Sequence, residues 1–231
     1  MKAEIWHGTN NRFLVVLDNE RTLLKTPKTI QKITQKFKVD GFIGIYVKNK
    51  KTIFMDFFNP DGTLDNCGNG LRVATSFCYS KKLIAKRGNV ISRGLIFKYK
   101  INKKDVSITF RNIETNGLFF IIGSVKHKVI NVNDFEKSKK IAQKIRKKEN
   151  CNITLVKKIN NTIFAQTFEV GVENFTYSCG TGAIAAAIMT KKETIFMPGG
   201  LLKIKKTKEG LNLSGKTKYV KEVKLWNLTP R

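Results

Sequence analysis

Two short segments of this chain are near copies of each other. Cys67-Gly68-Asn69-Gly70 opens a run from Leu71 to Cys78, and Cys179-Gly180-Thr181-Gly182 opens a run from Ala183 to Ile188. They stand 112 residues apart in a chain of 231. In the first run Leu71, Ala74, Phe77 and Cys78 recur at helical spacing, and the second is apolar throughout. Each segment therefore predicts a loop that opens into a largely buried helix. A repeat at nearly half the chain length predicts an internal duplication. The expected class is α+β, with two pseudo-symmetric halves, each a strand-rich shell and one central helix.

The flanking sequence fits that plan. Glu4–Trp6 and Phe13–Leu17 read as strands about the polar turn Gly8-Thr9-Asn10-Asn11. Thr26-Pro27 reads as a helix start, with Ile30, Ile33 and Phe37 following at helical spacing. Further strands are expected at Phe42–Val47, Thr52–Phe58, Gly94–Ile101, Val106–Arg111, Leu118–Ile122, Ile153–Val156 and Thr162–Phe168. A basic amphipathic helix is expected over Asp134–Lys148, with Phe135, Ile141, Ala142 and Ile145 inward. Trp6 and Trp226 read as packing residues. The halves are expected at 1–115 and 116–218. The last strand, about 219–231, is a candidate to return to the first half, and the active site is expected in the cleft between the halves.

Charge enters as a competing signal. Lys and Arg number 44 against 17 Asp and Glu, a formal net charge of +27. Such an excess is what a nucleic-acid binder carries. Yet 36 of those cations are Lys and only 8 are Arg, the residue that grips phosphates and bases bidentately. Lys, Asn and Ile, all with A/T-rich codons, are abundant together, so the charge reads as solvated faces. A basic nucleic-acid-binding protein without enzymatic activity is the alternative from charge alone. No apolar run reaches the length of a membrane span. The N-terminus lacks a signal-peptide pattern, and four cysteines without C-x-x-C spacing read as reduced thiols, so a cytoplasmic setting is expected. Cys78 and Cys151 read as core fillers.

The chemistry follows from the two helix starts. The first turn of a helix offers unpaired N–H groups and the positive end of the dipole. Glycine there lets a ligand approach the backbone closely, which makes a site for a carboxylate or phosphate. A cysteine at the same place has its thiolate favoured. If two such starts face one cleft, the N–H groups of Gly68, Asn69, Gly180 and Thr181 clamp a substrate carboxylate. The two sulfurs then flank the adjacent carbon. One thiolate removes the α-proton from one face and the opposite thiol protonates the other, inverting the stereocentre. The same N–H donors stabilise the carbanion. The scheme requires no metal, pyridoxal phosphate or flavin.

These residues carry a resemblance. His7-Gly8-Thr9-Asn10-Asn11-Arg12-Phe13, Asn59-Pro60-Asp61-Gly62 with Cys67-Gly68-Asn69-Gly70, Phe168-Glu169-Val170-Gly171-Val172 with Cys179-Gly180-Thr181-Gly182, and Pro198-Gly199-Gly200 occur in order along almost the whole chain. The chain resembles the diaminopimelate epimerase family, the cofactor-independent two-cysteine amino-acid epimerases and racemases. The resemblance implies two domains, each a mostly antiparallel barrel-like sheet wrapped around a central helix. It also implies a homodimer, and a reaction that interconverts LL- and meso-diaminopimelate in lysine biosynthesis.

Roles follow position by position. Cys67 and Cys179 would be the acid/base pair, Asn11 and Asn59 would bind substrate, and Gly68-Asn69 and Gly180-Thr181 would hold the reacting carboxylate. Glu169 would bind substrate through its backbone and, with His127, tune the thiols. The chain also departs from the family. The Arg that grips the distal carboxylate is Val170 here. Two asparagines of the distal end appear as Ser124 and Thr154. His127 matches its motif only with a one-residue shift, and the Glu expected four residues before the second Cys is Phe175. The acid/base machinery is retained while recognition of the distal end is altered, so racemisation of another amino acid is the second reading.

Overall fold

The computed structural model describes residues 2–20, 26–103, 105–111, 113–117 and 119–225. In chain order the elements are β1 (Lys2–Gly8), β2 (Asn11–Leu17), α1 (Pro27–Phe37), β3 (Gly41–Asn49), β4 (Thr52–Phe58), β5 (Leu64–Asp65), α2 (Gly68–Ser80), β6 (Arg87–Ser92), β7 (Leu95–Asn102) and β8 (Asp105–Phe110). There follow β9 (Ile113–Thr115), β10 (Phe120–Ile122), β11 (Val125–Asn131), α3 (Phe135–Glu149), β12 (Asn152–Ile159), β13 (Thr162–Glu169), β14 (Asn174–Phe175), α4 (Gly180–Thr190), β15 (Thr194–Met197), β16 (Gly200–Thr207), β17 (Gly210–Gly215) and β18 (Thr217–Lys224). The fold is α+β, with two compact units: Met1–Ile108 with Lys216–Arg231, and Thr109–Gly215. The expected stretch of last strand beyond Leu225, Trp226 and the expected strand start at Leu118 lie outside the described residues.

In the first unit β1 and β2 form a hairpin whose turn residues, Thr9 and Asn10, both have positive φ (49° and 70°). This is the paired left-handed turn that matches strand twist, usually built from Asn and Gly. β2 runs parallel to β3 across α1, which Thr26 caps and Pro27 opens, as the sequence predicts. β3 pairs antiparallel with β4, β4 runs parallel to β6, and β6 pairs antiparallel with β7. β18 closes onto the outer edge of β1. α2 packs against β1–β4 and β18, and residues 68–75 are all buried. A cluster of Ala3, Ile5, Leu14, Val16, Phe42 and Phe58 holds α1 through Ile30 and Ile33. Trp6 is buried edge-on to Phe77 and Tyr219, as expected of a packing residue.

The second unit repeats the order. β10 and β11 form the hairpin, and β11 runs parallel to β12 across α3. β12 pairs antiparallel with β13, β13 runs parallel to β15, and β15, β16 and β17 form a meander. α4 is buried from Gly180 to Ala187 against these strands. On α3, Phe135, Ala142 and Ile145 pack onto Cys151, Ile153, Leu155 and Phe168. Ile141, expected inward, is 56% exposed. It sits one residue, a rotation of about 100°, from the stripe centred on Ala142. Cys78 and Cys151 are buried fillers, and all four cysteines are free thiols. Among the described residues no helix is long and apolar enough to cross a membrane.

Candidate active site

Cys67 is the N-cap of α2, with extended backbone (φ −130°, ψ 113°), and its Sγ accepts the Gly70 N–H at 3.3 Å. A side chain at position 70 would crowd that contact. A Cβ on Gly70 would stand 3.2 Å from Cys67 Cβ and 3.4 Å from Ile43 Cδ1. Cys67 is half-buried. Gly68 and Asn69, the expected carboxylate holders, form the first turn, and both are buried. Asn59 is buried in the turn that follows β4, where its Nδ2 donates to Thr63 Oγ1 at 3.1 Å. Asn11, also buried, is the first residue after the Thr9-Asn10 turn. The one large surprise in this unit is Arg72, completely buried one turn into α2.

Cys179 caps α4 in the same way (φ −122°, ψ 115°), its Sγ accepting the Gly182 N–H at 3.4 Å. Unlike Cys67 it is buried. Burial raises its thiol well above the usual range, and the neighbouring Glu169 carboxylate raises it further. The Gly182 N–H acts in the opposite direction, because it favours the thiolate. The Glu169 carboxylate is held by a hydrogen bond from the Thr176 hydroxyl. Phe175, in place of the expected Glu, packs edge-on against Phe168.

Behind Cys179 lies a buried polar chain. Cys179 Sγ is 3.5 Å from Thr181 Oγ1, Thr181 Oγ1 is 2.8 Å from His127 Nε2, and His127 Nδ1 is 3.2 Å from Thr154 Oγ1. Thr154 Oγ1 is in turn 3.1 Å from Thr167 Oγ1. Proton positions follow from Asn152. Its Oδ1 accepts the Val170 N–H at 2.7 Å, so the amide group 3.5 Å from His127 Nε2 is the NH₂. An NH₂ only donates, which makes Nε2 the acceptor and Nδ1 the protonated nitrogen. The Thr181 hydroxyl then donates to Nε2, and its oxygen is open to a proton from the Cys179 thiol. Burial pulls His127 down to about 3, so the imidazole is neutral at ordinary pH.

The two residues expected at the distal end, Thr154 and Ser124, lie in different settings. Thr154, read as the counterpart of a distal-end Asn, is completely buried, with its hydroxyl committed to His127 and Thr167. The side chain that meets the Val170 backbone is Asn152, two residues earlier on the same face of β12. Ser124 is exposed in the turn between β10 and β11, where Gly123 takes φ 66°. Val170 is 37% exposed and offers no charge. Arg72 was missed altogether, because an arginine in a helix ordinarily marks a solvated face.

Two matched cysteine caps, each in its own unit, are the geometry against which relatives can be weighed. A diaminopimelate epimerase of Flavobacterium psychrophilum is 30% identical over 232 aligned residues, covering 88% of this chain and 90% of that protein. The chain belongs to the diaminopimelate epimerase family. A second relative of that name, from Aquifex aeolicus, is 30% identical over 226 residues and 81% of each chain. The fold of the family extends beyond recognisable sequence. A phenazine biosynthesis protein of the PhzF family from Bacillus anthracis superimposes with a TM-score of 0.71 at 13% identity, over 98% of this chain and 99% of that one. No family model matches the chain. Family membership makes the protein an isomerase of the epimerase and racemase class.

Proposed function

We propose that the protein is a cofactor-independent epimerase that interconverts LL- and meso-diaminopimelate, with Cys67 and Cys179 as the acid/base pair. One observation supports this above the others: both cysteines cap a buried helix with the same backbone and the same Sγ···H–N contact, 3.3 Å in one unit and 3.4 Å in the other. In this reading the backbone N–H groups of Gly68-Asn69 and Gly180-Thr181 hold the carboxylate next to the reacting carbon. They also stabilise the charge that spreads onto it when the α-proton leaves. Asn11, Asn59 and the Glu169 backbone bind the rest of the reacting end. Asn152 holds the Val170 backbone in place, and His127 holds the Thr181 hydroxyl.

Val170 favours a second reading, in which the substrate is an amino acid without a distal carboxylate, because a valine offers that group neither charge nor hydrogen bond. Chiral chromatography after incubation with LL-diaminopimelate and, separately, with a panel of single-carboxylate L-amino acids distinguishes the two. The proposal expects the meso isomer from LL-diaminopimelate under reducing conditions. Inversion of a panel member alone moves the substrate assignment, and inversion of nothing overturns the proposal.

A further inference from the structure

Arg72 heads the largest fully buried side chains among the described residues. Its Nη2 donates to Thr9 Oγ1 and Asn69 Oδ1, both at 2.8 Å, and its Nη1 reaches Gly68 O at 3.4 Å. All three acceptors are neutral, and Nε has no hydrogen-bond partner. An unpaired buried cation is among the most costly groups a protein can hold, so an anion is expected to balance it.

The described titratable groups on the elements packed against α2 are accounted for elsewhere or do not act on it. On β1, Glu4 pairs with Lys81, Lys2 pairs with Glu222 of β18, and His7 lies under the influence of Lys218 and Arg12. Tyr46 of β3 and Asp56 of β4 line a separate cavity with Arg93. Lys48, Tyr219, Lys221 and Lys224 complete the set. The guanidinium sits on Gly68 and Asn69, the two residues that follow the Cys67 cap. Burial pulls it down to about 10, and a negative charge on Cys67 would oppose that fall.

The same guanidinium holds strained backbone. Thr9 is β-branched yet sits at φ 49°, a region such residues avoid. Its hydroxyl is tied to Arg72 and its N–H to Lys216 O at 2.9 Å. Asn11 follows directly.

We propose that Arg72 is a positioning residue: its buried guanidinium is the counter-charge that favours the Cys67 thiolate, while it locks the Asn69 side chain and the Thr9-Asn10 turn. The proposal rests on the reading of Cys67 as one of the acid/base pair. Its test does not need turnover, so the two can fail separately.

The test is the pH profile of Cys67 alkylation by iodoacetamide, read by peptide mass mapping, in the unaltered chain, Arg72→Met and Arg72→Lys. Arg72→Met is expected to move the midpoint up by about one pH unit or more, and Arg72→Lys to keep most of the lowering. An unchanged midpoint in folded Arg72→Met overturns the proposal. A second measurement keeps Arg72 in place: urea unfolding of the unaltered chain and Cys67→Ala between pH 6 and 9. A thiol depressed in the folded state adds stability as pH rises toward its unfolded value of about 8.5. The unaltered chain should therefore gain on Cys67→Ala across that window, and a gap that does not change with pH overturns the proposal even if Arg72→Met does not fold.

Discussion

His127 Nε2 stands 2.8 Å from the Thr181 hydroxyl, and that hydroxyl stands 3.5 Å from the Cys179 sulfur. A buried, neutral imidazole thus fixes the one side chain that reaches Cys179 from inside its own helix. With its proton given to His127, the Thr181 hydroxyl accepts from the Cys179 thiol and so holds its protonated form. Thr181→Val keeps the shape and removes the hydroxyl. It should take the acceptor away from the Cys179 thiol, leave Nε2 without its 2.8 Å partner and cut kcat about tenfold, on the scale of one buried hydrogen bond. The pH–rate profile checks it, with the alkaline limb moving down.

His127 also makes stability depend on pH. Its folded value, about 3, lies below the 6.5 of a free imidazole, because burial disfavours the charged form. The unfolded chain therefore binds a proton below 6.5 that the folded chain refuses. The contribution is present in full above that pH and is lost as pH falls from 6.5 toward 3. At pH 5 the loss is about 2 kcal/mol. Urea unfolding at pH 7.5 and pH 5 should show a smaller drop in His127→Gln than in the unaltered chain.

The two motif glycines should differ in cost. A Cβ on Gly182 would meet Thr167 Oγ1 at 2.3 Å and Thr154 Oγ1 at 2.9 Å, whereas on Gly70 the nearest atom is Cys67 Cβ at 3.2 Å. Gly182→Ala should cost about 1–3 kcal/mol by overpacking, with Gly70→Ala below it. Thr167→Ala should recover part of the Gly182→Ala loss, since it removes the closer oxygen. Urea midpoints of the three variants check this.

Asn152 holds the Val170 N–H at 2.7 Å and lies beside His127. Asn152→Ala should loosen the Glu169–Val170 strand end and raise KM more than it lowers kcat, about fivefold to tenfold for one lost hydrogen bond. Steady-state kinetics on the substrate that turns over checks the split.

Much of this was legible in the chain. The duplicated Cys-Gly-x-Gly segments placed both buried helices and their capping cysteines, because glycine-rich helix entry followed by apolar periodicity leaves little choice of structure. Strands with a clear apolar run, such as β3, β4, β12 and β13, were equally plain. β6 and β11 were not. Gly88 and Asn89 break the pattern of the first, and lysines alternate through the second, yet each finds a neighbour to pair with. Arg72 was illegible for a different reason: sequence spacing shows which face of a helix a residue takes, but not that a guanidinium will find three acceptors there. Thr154 and Asn152 share one face of β12, and only the depth of each along the strand separates them.

The central claim is that two thiols work on one α-carbon, and α-proton exchange with solvent tests it most directly. The unaltered chain, Cys67→Ser and Cys179→Ser are incubated with LL-diaminopimelate in D₂O under reducing conditions, and deuterium at the α-carbons is followed by proton NMR. The account predicts deuterium at one α-carbon of the meso product in the unaltered chain and epimerisation reduced at least a hundredfold in either variant. Turnover that survives either substitution, or a meso product that carries no solvent deuterium, would contradict it.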